Sequence, residues 1–322
     1  MDLQSTLRCE TRIIVPVRNG GDRWREAAAA LRRSLPDPGL VAVVDSASTD
    51  GSDVIATDCQ FELLRIDART FNHGRTRQEA VERFCVGKRF VVFLTHDAVI
   101  EGPESLTTLL NEFSDPRVGA AYGRQLPHHD ARPFGAHSAS FLYPATGGTR
   151  TLEDVPRLGI RTGYLSNSFA AYRIDALRQC GGFPARLILG EDAYAAFHML
   201  LAGWAVSYCA TALVRHSHDY SVVQEMQRYF DFGVMHAQLP ELTSRLGAPE
   251  GDGARFVHSE LRYIARVAPL LLPEVLVRNA AKYVGYRLGR HFGVLPNALR
   301  RRLSMTKSYW DTRPELLPPS RG

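Results

Sequence analysis

The chain has 322 residues, is 45% hydrophobic and 23% charged, and carries a formal net charge of +5, an ordinary globular composition that excludes a disordered or fibrous protein. Its five cysteines (Cys9, Cys59, Cys85, Cys180, Cys209) form no CxxC pair, which argues against a thiolate zinc site and for a reducing compartment. No stretch approaches the roughly 20 apolar residues of a membrane span, and the opening residues lack the apolar core of a secretion signal, so a cytoplasmic protein is expected.

In chain order, Thr11 to Val17 (TRIIVPV) reads as a first buried strand, followed by a turn at Arg18-Asn19-Gly20-Gly21. An Ala-rich helix is expected over Trp24 to Ser34, stopped by Pro36 and Pro38. Val41 to Val44 is a second short strand that runs into the small polar cluster Asp45-Ser46-Ala47-Ser48-Thr49-Asp50, the kind that caps a following helix. Phe61 to Ile66 is a third strand, and Thr76 to Phe84 a helix entered through Phe71-Asn72-His73-Gly74.

The fourth strand, Val91 to Thr95, is an uninterrupted apolar or β-branched run that ends on His96 and Asp97. Such a run suits a strand buried on both faces. Burying the two polar side chains would cost several kcal/mol or so, which places them at its carboxyl end, where open α/β sheets bind ligands. Alone, Asp97 could equally begin a turn. The β-α-β-α-β-α-β alternation is that of a parallel, nucleotide-binding sheet. Neither GxGxxG nor GxxxxGK[ST] is present, so a dinucleotide fold and a P-loop are disfavoured.

A helix over Ser105 to Phe113 and a strand over Val118 to Tyr122 follow. Arg124 to Gly163, rich in Pro, Gly, His and Arg, reads as a long functional loop. Further helices are expected over Ile174 to Cys180 and Ala193 to Ala202, the second preceded by Gly190-Glu191-Asp192, and a strand over Ala205 to Val214 leads into Arg215-His216-Ser217-His218. Beyond Ser221 the patterns are helical, with breaks near Pro240, Gly251, Pro273 and Pro296. This C-terminal part is cationic (Arg262, Arg266, Arg278, Lys282, Arg287, Arg290, Arg300, Arg301, Arg302), which suits anionic lipid or a solvated face. Nucleic-acid binding is disfavoured because no stacking motif is interleaved with the cations.

IIVPVRNG, VVDSASTDGS, FNHGRTRQEAV, FLTHDA, YGRQLP, SNSFAAYR, GGFP, GEDAYAAFHMLLAGW and VRHSHDYS, in this order over roughly residues 13–234, resemble inverting family 2 glycosyltransferases of the GT-A fold, and among these the bacterial rhamnosyltransferases of polysaccharide and O-antigen synthesis. The resemblance implies an α/β, mostly parallel sheet flanked by helices in residues 1–223, with a helical extension over 224–322. It implies transfer of L-rhamnose from a dTDP-sugar donor, dTDP-β-L-rhamnose, to a saccharide acceptor that could be lipid-linked, with peripheral contact to the inner face of the membrane and room for an oligomer.

The two phosphates of such a donor need Mg²⁺ or Mn²⁺ held by oxygen and imidazole ligands. The family's Asp-x-Asp falls on Thr95, His96 and Asp97, so its first aspartate is missing; Asp97 is the ligand, helped by His216 or His218. These two alternate along extended chain and share a side; one of them is a packing histidine in the plainer reading, and His216 is preferred as ligand. The resemblance assigns Pro16, Arg18, Asn19, Asp45, Ser46, Asn72, Gly74, Arg77 and His96 to the nucleotide. A carboxylate such as Asp45 accepts only, which suits the imide N–H of thymine or uracil; the plainer reading makes it a helix cap. Asp192 falls on the catalytic base, with Glu191 as the alternative, and both would also suit a helix N-terminus without any catalysis. Ser166, Asn167, Ser168 and Arg173 fall on the sugar and acceptor cavity. A UDP-hexose or UDP-galactofuranose donor fits the same residues, and the missing aspartate at Thr95 leaves a non-catalytic nucleotide-sugar-binding protein as a competing reading.

Overall fold

β-branched runs form the first strands. In the computed structural model, which describes residues 5–247 and 250–311, β1 (Thr11–Val17), β2 (Val41–Asp45), β3 (Glu62–Arg65) and β4 (Phe90–Leu94) lie parallel in the order β3-β2-β1-β4. Every residue of β2 and β4 is buried, as continuous apolar runs between two helical layers require. The connecting helices are α1 (Gly21–Ser34), α2 (Ser52–Asp58) and α3 (His73–Phe84).

Beyond β4 the parallel alternation stops. The chain adds β5 (Val99–Ile100), α4 (Ser105–Asn111), β6 (Val118–Leu126), α5 (Pro133–Leu142), β7 (Gly148–Arg150), β8 (Phe169–Arg173), α6 (Ile174–Gln179), α7 (Glu191–Leu201) and β9 (Ala205–Arg215). The sheet continues β4-β8-β6-β9-β5, with β7 also on β9. β8 runs antiparallel to both β4 and β6, whereas β6 and β9 are parallel. The sheet is therefore mixed and mostly parallel, with β5, β7 and β8 running against the other strands. The segment 124–163, expected as loop, contains the end of β6, α5 and β7.

Side chains alternate across the sheet. Ile13, Val15, Val43 and Val92 pack on one face with Trp24, Leu31 and Leu106. Ile14, Val44, Val91 and Phe93 pack on the other with Ala80, Leu177 and Ala195. Registry places the functional edge: Leu94 pairs with Phe169, and Leu126 with Arg215. The carboxyl ends of β4, β6 and β9 thus meet the amino end of β8 along one edge, and this brings residues 95–97, 166–168 and 216–218 together.

The C-terminal helices are α8 (Val222–Gln238), α9 (Pro240–Leu246), α10 (Glu250–Val267), α11 (Leu272–Arg290) and α12 (Asn297–Leu303). α8 and α11 touch backbone to backbone: a Cβ at Gly289 would stand 2.0 Å from the Phe230 carbonyl oxygen and one at Gly285 2.2 Å from that of Met226. Buried charges also join them, since Glu225 of α8 faces Arg278 and Lys282 of α11 at 3.3 and 3.7 Å. α5 packs on α10 through His137, Phe141, Phe256 and Tyr263. These helices build one wall of the cleft over the sheet edge, so the expected boundary at residue 223 does not separate the extension from the site.

Candidate active site

The sheet edge opens into a cleft of about 990 Å³, at the upper end of the range for small-molecule sites, roughly 300–1,000 Å³. At the end of β4, Asp97 stands with its Oδ1 3.4 Å from His216 Nε2 and its Oδ2 3.8 Å from His218 Nδ1. The three offer ligand atoms within 4.8 Å of one another. His216 Nδ1 lies 2.7 Å from the Oε1 of Gln125. An amide oxygen accepts only, so the neutral imidazole carries its proton on Nδ1 and turns the Nε2 lone pair towards Asp97. A lone pair and a carboxylate oxygen that makes no hydrogen bond then face each other, an arrangement that calls for a cation between them. This donor set fits a divalent cation, with Gln125 orienting a ligand from behind. Both histidines face Asp97, and His218 also stacks on Tyr220. Thr95 lines the cleft with a buried hydroxyl that has no hydrogen-bond partner among the described residues.

A second carboxylate group forms at the start of α7. Gly190 turns with φ +84°, a left-handed geometry natural to glycine, and delivers Glu191 and Asp192 to the helix N-terminus. The two neighbours have different environments. Glu191 is buried, 3.1 Å from the Arg77 guanidinium, and accepts from Asn167 Nδ2 at 2.9 Å. The Tyr172 hydroxyl donates to Asn167 Oδ1 at 2.6 Å, so the amide's orientation is set. Burial raises the Glu191 carboxyl, and Arg77, His73 and Asn167 more than offset this, keeping it below the ordinary value. Asp192 accepts from the backbone N–H groups of Asn167 and Ala193 at 3.2 and 2.8 Å. Burial, reinforced by the charge on Glu191, pushes it up to about 6. The two adjacent carboxyls are thus driven apart, one held ionised in an ion pair and the other pushed up towards neutrality.

The remaining expectations divide. Pro16, Arg18, Arg77, His96, Ser166, Asn167 and Ser168 line the cleft. Ser166 also accepts from Gln125 Nε2 at 3.0 Å, which links the β8 entry to the His216 end. Asp45 and Ser46 end β2 one strand over from the cleft wall; Asp45 Oδ2 accepts from Ser48 N at 3.0 Å, while its Oδ1 and the Ser46 hydroxyl are buried without a partner among the described residues. Asn19 braces that turn by accepting from Thr49 N.

Four of the expected residues are engaged within the fold. Arg173 ends β8 at the far side of the sheet, paired with Phe90 and packed among Phe90, Phe113 and Trp204; it is not a cleft residue. Asn72 caps α3, accepting from Gly74 N and Arg75 N while donating to Leu187 O. Gly74 is required by packing, since a Cβ there would lie 1.9 Å from the Pro184 carbonyl oxygen. Arg77 reaches the cleft wall, but its charge is committed to Glu191. The sequence reading missed Gln125, within YGRQLP, and Arg228 of α8, which also lines the cleft.

A mixed sheet with a carboxylate–imidazole cluster at one strand end and a paired carboxylate opposite the β8 entry is the arrangement of a GT-A glycosyltransferase. The chain belongs to glycosyl transferase family 2, whose sequence profile matches residues 12–181. It is 43% identical to the O-antigen chain rhamnosyltransferase WbaN of Salmonella anatum and 40% identical to the O-antigen chain rhamnosyltransferase RfbN of Salmonella typhimurium, in each case over 93% of this chain and 95% of the relative. Among solved structures it resembles the mannosyltransferase PcManGT from Pyrobaculum calidifontis in complex with GDP-Man and Mn²⁺, with a TM-score of 0.53 at 19% identity over 94% of this chain and 85% of that one. The protein is a glycosyltransferase.

Proposed function

We propose that the protein transfers L-rhamnose from dTDP-β-L-rhamnose to a saccharide acceptor of an O-antigen-type chain, with inversion. The observation that carries this is the 40–43% identity, over nearly the whole chain, to two O-antigen chain rhamnosyltransferases. The acceptor hydroxyl oxygen attacks the sugar's anomeric carbon from the face opposite the diphosphate. The bond from that carbon to the phosphate oxygen breaks, and its electron pair leaves with the nucleotide. Asp192 takes the hydroxyl proton, a role that its burial and the neighbouring Glu191 charge suit. Asp97, His216 and His218 would hold Mg²⁺ or Mn²⁺, whose charge would stabilise the leaving diphosphate. The bare Oδ1 of Asp45 supports a base with an imide N–H, and it would serve uracil as well as thymine; a UDP-sugar donor is the second reading.

Thermal stability measured with dTDP, UDP and GDP, each with and without Mn²⁺, tests the assignment. The expected result is metal-dependent stabilisation by dTDP, and rhamnosyl transfer from dTDP-β-L-rhamnose to a saccharide acceptor. A preference for UDP would replace the donor. The absence of any shift would remove the nucleotide-sugar reading altogether.

A lipid-linked acceptor and peripheral membrane contact complete the proposal. Among the described residues no helix is long and apolar enough to cross a membrane. α11, however, exposes Leu276, Val277, Tyr283 and Val284, with Arg287 and Arg290 exposed at its end, a combination suited to an anionic bilayer surface. Co-sedimentation with anionic but not neutral vesicles is expected, and should drop sharply in Leu276→Glu/Val284→Glu. Equal recovery with and without vesicles would sink this part.

A further inference from the structure

Most cations in the cleft wall have a partner. Arg77 pairs with Glu191, Arg157 with Asp154, Arg161 with Asp252, and Lys282 with Glu225 and Glu260. Arg150 donates to Tyr122 and to the carbonyls of Arg161 and Tyr164. Arg18, exposed at the end of β1, and Arg228 of α8 line the cleft too, and among the described residues no carboxylate lies within ion-pair distance of either. For Arg228 the lack of a partner is built into α8. Glu225, three residues before, is drawn to Arg278 and Lys282 of α11. Asp231, three residues after, is fully buried and accepts from Met305 N, Thr306 N and the Thr306 hydroxyl. Both carboxylates that helical spacing would offer Arg228 are therefore spent elsewhere. The guanidinium rests instead 4.8 Å from the centre of the Phe232 ring, a contact that holds a cation without neutralising it.

Its position gives the charge a purpose. α8 begins at the Ser221 cap, three residues after His218 of the Asp97 cluster, and about two turns beyond Arg228 its Met235 packs on the start of α7, where a Cβ at Gly190 would stand 2.1 Å from the Met235 sulfur. Arg228 thus stands between the candidate metal ligands and the carboxylates of α7. In a sugar transferase, the bond that breaks lies between those two groups.

We propose that Arg228 binds the sugar-bearing phosphate of the nucleotide diphosphate and receives the negative charge that develops there as the anomeric C–O bond breaks. This rests on the nucleotide-sugar reading and deepens it, by giving the C-terminal helices a direct part in the donor site. A planar guanidinium offers two parallel N–H donors to phosphate oxygens. In the transfer, the electron pair of the broken bond ends on the phosphate oxygen next to this guanidinium, while the acceptor proton goes to Asp192.

The test is calorimetric binding to the full chain of whichever diphosphate (dTDP, UDP or GDP) it takes, beside the matching monophosphate, in EDTA and again in Mn²⁺. Arg228→Gln should weaken diphosphate binding by about 10- to 100-fold, the scale of a charge-assisted hydrogen bond, and change monophosphate binding by less than about 2-fold. Arg228→Lys, which keeps the charge and loses the fork, should recover part of the loss, and it serves as the test variant if circular dichroism shows that Arg228→Gln does not fold. Equal weakening of both nucleotides overturns the proposal and leaves a packing role; unchanged diphosphate binding overturns it as well. A wild-type protein that binds none of the diphosphates overturns both this inference and the function on which it rests.

Discussion

Replacing Asp192 by asparagine is expected to lower the rate of sugar transfer by about 10²–10⁴-fold, the usual contribution of a general base, while making the protein more stable at neutral pH. The carboxyl ordinarily titrates at 3.8 and is pushed up to about 6 in the fold. Between those values the folded protein binds more protons than the unfolded chain. The stability that this group contributes is therefore greatest below about pH 3.8 and is lost as pH rises through about 6. At pH 7.5 the ionised Asp192 weakens the fold. Asparagine removes the charge but keeps an acceptor for only one of the Asn167 and Ala193 N–H groups, which reach different oxygens of the carboxylate, so a smaller net gain, on the order of 1 kcal/mol, is expected. In the wild type, turnover should rise with pH through about 6 and level off, and the variant's residual activity should lack that rise. Urea unfolding at pH 5 and 7.5, paired with pH–rate profiles, gives both readouts. An inactive variant that is also less stable, or that no longer binds nucleotide, would make Asp192 a structural residue.

The second large effect is on folding. Arg77→Met should destabilise the protein by about 3–5 kcal/mol, because it strands the buried Glu191 carboxylate without its cation. Both side chains are nearly inaccessible, at 5% and 6%, so water cannot take the partner's place. Glu191→Gln should cost less, since Gln can still accept from Asn167 Nδ2. The double variant should be much less destabilised than the sum of the two, because it leaves no stranded Glu191 carboxylate. Chemical denaturation of the four proteins measures this, and additive losses would show that the pair is not coupled. Strong coupling would assign Glu191 to anchoring the start of α7, which leaves the proposed role of base to Asp192.

The first half of the sheet was legible because each strand there is a compact apolar run ending in polar residues. Thr11–Val17 and Val41–Asp45 follow those runs to within a residue. Beyond β4 the signals weaken for physical reasons. Phe169–Arg173 is a strand whose interior is Ala170 and Ala171, small side chains squeezed between β4 and β6, so it lacks the β-branched signature. Pro133–Leu142 begins with Pro and carries Gly135 and two serines, a poor helical sequence that is held by its packing on α10. The site was read best where neighbouring residues sit at one strand end, as at Asp97 and His216. Reading failed for Arg173, because SNSFAAYR is contiguous in sequence but spans the sheet: an extended strand moves away by about 3.3 Å per residue, so the serines and the arginine end on opposite edges. Arg228 was invisible because a basic residue on a helix normally means a solvated face. Only the partners that Glu225 and Asp231 take elsewhere show that it has no ion pair on its own helix.

The walls of the cleft come from distant parts of the chain: His73 to Asp97 on one side, and Arg228 to His236, braced by α11, on the other. During synthesis, residues leave the ribosome at about 5–20 per second. The residues of the sheet and of both carboxylate groups are therefore made several seconds before α11 emerges to brace α8. A nascent chain over this interval has a cleft open on one side and α8 without its backbone partners Gly285 and Gly289. The cleft is thus completed late, when α11 docks on α8.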